Sequence, residues 1–406
     1  MLRSLLASCA FALASTSAFG QATVKIAILG PMAFVQGENH WMGAEMARDE
    51  INKAGGVSVG GRKLMVELVR ADTNEMTSVP DSASAVERVI TRDKVDFLIG
   101  GFRSEAVLAM QEVAMDHKRL FLGAGAAHDE LGIRVERDYN RYKYWFRVTP
   151  TKSTDLGRTV FGVLGAVAGE IRTRFKTETP KVAVLAEKAI WTEGLIAAAQ
   201  KNLPAMKMEM VGLWQPSATA TDVTAELSAI ERAGADIVFT ILSGPVGIVT
   251  GRQMGERNMK AVAFGINVEA QKDEFWGAAA GKANFVSTLD TYAEVEITPN
   301  TVAWVRAFKE RYKKSPTYNA ATYDVVMLLK ETIEQANSTK ADDLIPVLEK
   351  MSRIGIGGVL EFDKRHDPVW GPGKALGIGV QWQDGKKVAF WPPQVKGMQP
   401  FRLPAR

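Results

Sequence analysis

An α/β fold of two similar lobes, each an open, doubly wound parallel sheet, is what this 406-residue sequence predicts. Three observations point there: short apolar, largely β-branched runs alternate with amphipathic stretches, several runs end in glycine, and the rhythm restarts near residue 150. The first run, Val24 to Gly30, ends in Gly-Pro, as a buried strand delivering the chain into a loop would. From His40 to Lys53, Trp41, Ala44, Met46-Ala47 and Ile51 recur at three or four, so this is a helix, and Gly55-Gly56 stops it. Strands at Leu64 to Val69, Val95 to Ile99 and Leu120 to Leu122 then alternate with helices at Ser82 to Asp93 and Ala106 to His117. After Trp145-Phe146-Arg147-Val148-Thr149-Pro150, strands at Val182 to Ala186, Met208 to Leu213 and Asp236 to Leu242 alternate with helices at Gly194 to Asn202 and Thr221 to Ala233. The tail from Gly357 to Pro393 changes to glycine, tryptophan and short alternating stretches, which read as strands and turns. In sheets of this kind ligands sit beyond the carboxyl ends of the strands, where the glycine-rich loops fall here.

The N-terminus reads as an export signal. Arg3 supplies a positive start, Leu5 to Ala14 an apolar stretch, and Ala18-Phe19-Gly20 or Gly20-Gln21-Ala22 a small-residue cleavage site, so residues 1–22 are assigned to the signal. Leu6-Ala7-Ser8-Cys9 superficially matches a lipoprotein box, but the apolar segment continues past the cysteine. Cys9 is the only cysteine, so the mature chain has no disulfide, thiolate metal site or cysteine nucleophile. No later apolar run approaches the ~20 residues that span a bilayer. Hydrophobic residues make up 46% and charged residues 24%, with a formal net charge of only +4 and both signs interspersed. That is a mixed, solvated surface without the basic tract a nucleic-acid partner requires.

Catalytic and cofactor motifs are weak throughout. Gly123-Ala124-Gly125-Ala126-Ala127-His128 begins like a dinucleotide fingerprint but puts histidine where a third small residue is needed. Gly277 to Ala283 is one residue short of a phosphate loop and lacks its Ser or Thr. His40, His117, His128 and His366 lie far apart, with no second His or Cys at a ligand spacing. Glu45/Asp49 and Asp129/Glu130 have the spacings of ordinary helix-face and helix-start carboxylates. Neither an enzyme nor a metal or cofactor site is expected.

A series of small motifs covers almost the whole chain: Gly30-Pro31, Gly43-Ala44, Glu50-Ile51-Asn52-Lys53-Ala54-Gly55-Gly56, Asp72 with Pro80, and Val95-Asp96 leading to Gly100-Gly101-Phe102-Arg103-Ser104. Phe146 to Pro150, Gly234-Ala235-Asp236, Tyr323-Asp324 and Gly358-Val359-Leu360-Glu361-Phe362-Asp363 follow. In order and spacing this resembles the periplasmic branched-chain amino-acid-binding proteins, the receptors of ABC importers with the type I two-lobe fold. The resemblance implies a small ligand held between lobes joined by three crossovers, near 148–151, 285–290 and 355–362, with lobe 1 at 23–148 plus 290–355 and lobe 2 at 149–285 plus 362–406. It implies delivery to an inner-membrane permease by a periplasmic monomer. The alternative for such a fold is a sensor module feeding a membrane signalling partner.

The resemblance also assigns site residues. Ser104 matches the serine of the first-lobe carboxylate site, beside Arg103, at the start of a helix; its plain alternative is an N-cap. Gly125-Ala126-Ala127 matches the second loop, with the usual hydroxyl lost at Ala127. Trp191 stands for a cleft tyrosine, Gln36 for a lining position of the first loop, and Asn267 for the acidic partner of a ligand ammonium, with Glu269 as the fallback. Losing a hydroxyl and an acidic partner favours a carboxylate without an amino group over leucine or valine.

Overall fold

The computed structural model describes residues 22–405; residues 1–21 of the expected signal segment, Cys9 among them, lie outside these. Strands β1 (Thr23–Gly30), β2 (Val57–Val59), β3 (Arg62–Asp72), β4 (Phe97–Gly100), β5 (Phe121–Gly123) and β6 (Trp145–Arg147) form one sheet in the order β2-β3-β1-β4-β5-β6. Every pairing in it is parallel except the β2–β3 hairpin. Phe97-Leu98-Ile99 is buried throughout, because helices cover both faces and leave no polar side to alternate with.

The second sheet is built from β7 (Lys181–Ala186), β8 (Glu209–Trp214), β9 (Ile237–Leu242) and β10 (Val262–Asn267), parallel in the order β10-β9-β7-β8. Its two faces pack separate cores. Val182 and Val184 join Phe239 on one side, while Ala183 and Leu185 join Val238 on the other, as the two-residue period of a strand requires. A bridge from Ala263 to Val286 brings β11 (Ser287–Asp290) alongside β10. Beyond the small hairpin β12 (Arg353–Ile354) and β13 (Val359–Leu360), β14 (Ile378–Gln383) pairs antiparallel with both β11 and β15 (Lys386–Trp391).

Element boundaries depart from the periodicity in a few places. The first helix runs Val35–Lys53, five residues earlier than its apolar spacing indicates. The extra turn is buried through Gln36, Gly37 and Asn39, which carry no apolar signal, and Gly37 lies so close to Pro31 that a methyl there would fall 2.4 Å from its carbonyl oxygen. The helices Ser153–Phe175, Thr301–Tyr312 and Thr322–Ala336 were not read from the sequence.

The chain passes between the lobes three times. The first passage runs through Val148 to Thr151, the second follows Asp290, and the third lies between Trp370 and Ile378, later in the chain than 355–362. Residues before it still belong to the first lobe: Ile356 sits in its core, the His366 ring stacks on Phe146 at 3.8 Å, and Asp367 pairs with the fully buried Arg147 at 2.7 Å. Among the described residues no helix is long and apolar enough to cross a membrane, and no group of three or more His, Cys, Asp or Glu is placed to hold a metal ion.

Candidate ligand site between the lobes

Between the carboxyl ends of the two sheets lies a partly open cavity of about 130 Å³. Its size is close to the ~150 Å³ that accommodates one benzene ring in a protein interior. The first lobe lines it with Phe102, Arg103 and Ser104 after β4 and with Gly125 and Ala127 after β5. The second lobe contributes Trp191, Ser243 after β9, and Ile266, Val268 and Gln271 at the end of β10.

The β4 loop is held by a carboxylate that sequence reasoning missed. Glu75, fully buried, accepts from the amides of Phe102 and Arg103 at 2.8 and 2.7 Å and from the Thr73 hydroxyl at 2.7 Å. Burial pushes its pKa upward, and these three hydrogen bonds pull against that. With the loop so fixed, the helix Ser104–Asp116 starts at the cavity wall. The amides of Ser104, Glu105 and Ala106 have no acceptor among the described residues, which is the usual condition of a helix start and leaves them available to an anion. Ser104 is not the cap: that position belongs to Arg103, which makes no side-chain cap bond. Instead the Ser104 hydroxyl, 2% exposed, accepts from the His128 amide at 3.2 Å and ties the β4 loop to the β5 loop. The tie needs close approach, and a methyl on Gly125 would fall 2.3 Å from the Gly101 carbonyl oxygen.

Trp191 forms an aromatic wall whose orientation is set from behind. Its indole N–H donates to Glu187 Oε1 at 3.1 Å, and the same buried carboxylate accepts from the amides of Ser243 and Gly244 at 2.7 and 2.8 Å and from the Ser243 hydroxyl. Glu187, one residue past β7, thus holds two segments of the second-lobe wall together; a carboxylate directly after a buried strand is the signal that marks it.

The remaining expected residues stand behind the lining. Asn267 turns its side chain to the Gly247 carbonyl at 3.1 Å, packed so closely that a methyl on Gly247 would meet its Oδ1 at 2.1 Å, and the tight turn Val268–Gln271 then presents Val268 and Gln271 to the cavity. Glu269 is buried and paired with Lys272. Ala126 is outside the lining and gives its carbonyl to Arg147, while the amides of Ala126 and Ala127 have no acceptor among the described residues. Gln36 bridges the lobes: its amide nitrogen donates to Glu269 Oε1 at 3.2 Å and to the Ser243 carbonyl at 3.4 Å. Further bridges from Ile190 N to Glu105 (3.2 Å) and from Ser315 N to Asp273 (2.7 Å) hold the cleft closed. Tyr318, whose hydroxyl donates to the Gly125 carbonyl at 3.2 Å, and Tyr292, Asp290 and Asp324 complete the lining without having been anticipated as site residues.

The family model described as "Periplasmic binding protein" matches residues 23–373. The chain belongs to that family. Among curated proteins it is 24% identical over 423 residues, covering all of both chains, to a Leu/Ile/Val-binding protein homolog of Brucella abortus (strain 2308). Among solved structures it resembles a putative branched-chain amino acid ABC transporter protein from Silicibacter pomeroyi, with a TM-score of 0.77, 20% identity, and 94% of this chain and 99% of that one covered. It also resembles a solute-binding protein of an ABC transporter from R. palustris in complex with benzoate, with a TM-score of 0.72, 20% identity, and coverage of 91% and 95%. The fold is that of the type I periplasmic binding proteins. Its family and these neighbours are solute-binding proteins.

Proposed function

We propose that this periplasmic binding protein captures a small organic carboxylate lacking an α-amino group and, as a closed monomer, delivers it to an inner-membrane ABC permease. The observation that carries the reading is the balance of polar groups around the cavity. On the anion side stand the Ser104 hydroxyl, the amides that open its helix, and Arg103, whose guanidinium is only partly engaged by Glu105 at 3.3 Å. A carboxylate gains charge-assisted hydrogen bonds there.

The ammonium side has no counterpart. Glu187 is saturated by Trp191, Ser243 and Gly244, Glu269 is bound to Lys272 behind the lining, and Asp290 and Asp324 are engaged by Lys387 and Arg353 at 2.9 and 2.7 Å. An ammonium group held in this cavity would be desolvated without a free carboxylate in the lining to meet it, a penalty of several kcal/mol. The apolar walls, Phe102, Trp191, Ile266 and Val268, suit a ring or a branched chain. The benzoate complex of the R. palustris neighbour supports the same reading, since that related cleft accepts an aromatic acid.

A thermal-shift panel tests the proposal, because a ligand that binds only the native state raises stability by about 2.7 kcal/mol at a hundredfold excess over Kd. Benzoate, phenylacetate and short aliphatic acids should raise the melting temperature, and leucine, isoleucine and valine should not. Strong stabilisation by the three amino acids alone would overturn it.

A further inference from the structure

The cavity does not end at the Ser104 loop and the Trp191 wall. It continues to the three interlobe passages, where Thr149 and Thr151, Tyr292, and Leu376 and Gly377 line it. At that far end Tyr292 is only 2% exposed, its ring is fixed against Trp304 at 5.0 Å, and its hydroxyl makes no hydrogen bond among the described residues. Its oxygen is not among the enclosed polar atoms that lack a partner, so it opens onto the cavity and can donate to an acceptor held there.

We propose that Tyr292 forms a second polar end of the ligand site, donating a hydrogen bond to a neutral oxygen at the distal end of an elongated carboxylate. This rests on the carboxylate reading above and adds the far end of the ligand. The neighbouring charges decide what kind of atom fits. Asp290 and Asp324 also line the cavity, both buried, and their charges act on the Tyr292 phenol, so a second anionic group on the ligand is repelled. Both already receive donors: Asp290 from Lys387 and the Thr291 amide, Asp324 from Arg353 and the Ile356 amide, so a cation gains little. What remains is an uncharged hydroxyl or carbonyl oxygen. Burial beside these two carboxylates also holds the phenol well above its ordinary pKa, so it stays a donor. The ligand class is a hydroxylated, chiefly aromatic, acid whose carboxylate and distal oxygen sit at opposite ends.

Calorimetry on the mature protein tests this with three matched pairs: benzoate, phenylacetate and 3-phenylpropionate, each against its 4-hydroxy derivative, in wild type and Tyr292→Phe. The series lets the spacing between the two ends find its own length. For at least one pair the wild type should bind the hydroxylated acid roughly 3- to 10-fold more tightly, the range of one net hydrogen bond. Tyr292→Phe should abolish that preference while leaving the unsubstituted acid within about twofold. Equal affinity for every pair in the wild type, or a preference that survives Tyr292→Phe, overturns this inference and leaves the carboxylate reading standing. Binding of no acid in either series overturns both.

Discussion

One oxygen serves two purposes at Ser104. It accepts the His128 amide, fixing the two first-lobe loops to each other, and its hydroxyl proton has no acceptor among the described residues. Ser104→Ala is therefore expected to weaken carboxylate binding by roughly 1 to 3 kcal/mol by calorimetry, whereas Ser104→Thr, which keeps the hydroxyl, retains most of the affinity. Unchanged affinity with a lowered melting temperature would reduce Ser104 to a loop tie. Ser104 and Ala127 were read from the resemblance, and they lie in the loops that leave β4 and β5, where sheets of this kind hold their ligands. Asn267 also ends its strand, but the tight turn Val268–Gln271 rotates the next side chains by an amount no spacing rule gives, so Val268 and Gln271 take the lining. Tyr292 follows the second interlobe passage and Tyr318 opens a short turn after the helix Thr301–Tyr312, and nothing local in their sequence records that both reach the cleft.

The joints between elements are where polar burial is concentrated. His40, on the first helix, is fully buried and reaches the Leu29 carbonyl at the end of β1 with Nδ1 (3.0 Å), while Nε2 lies 2.9 Å from the Ala124 carbonyl after β5 and 3.0 Å from the Asn319 amide nitrogen. With its proton on Nδ1 the neutral ring donates to Leu29 and accepts from Asn319, and the Ala124 carbonyl receives no donor from it. Burial lowers its pKa from 6.5 to about 4, and the two carbonyls oppose that drop. The unfolded chain therefore binds the proton first as pH falls. Stability from this group is fully present above pH 6.5, declines through the interval down to about 4, and totals roughly 3 kcal/mol. Urea denaturation of wild type and His40→Gln across that interval should show their difference in stability shrinking as pH falls; a difference independent of pH would mean that folding leaves the affinity of the ring for its proton unchanged. The alternation of strands and helices made this packing legible as a whole, because buried parallel strands are continuous apolar runs. The long helices of the second half were not, since Ser153–Phe175 and Thr322–Ala336 mix glycine, threonine and charged residues with their apolar stripe.

At the scale of the molecule, two rigid cores meet across a cleft closed by a handful of polar bridges: Gln36 to Ser243 and Glu269, Ile190 to Glu105, and Ser315 to Asp273. Such bridges are individually weak, so under the proposed function closure depends on a ligand that touches both lobes, its anion at the Ser104 loop and its body against Trp191 and Val268. Small-angle X-ray scattering on the mature protein, with no ligand, with a carboxylate chosen from the thermal-shift panel, and with leucine, tests this most directly. A smaller radius of gyration with the carboxylate and an unchanged one with leucine is the predicted result. Contraction with leucine alone, or no contraction with any ligand that binds, would contradict it.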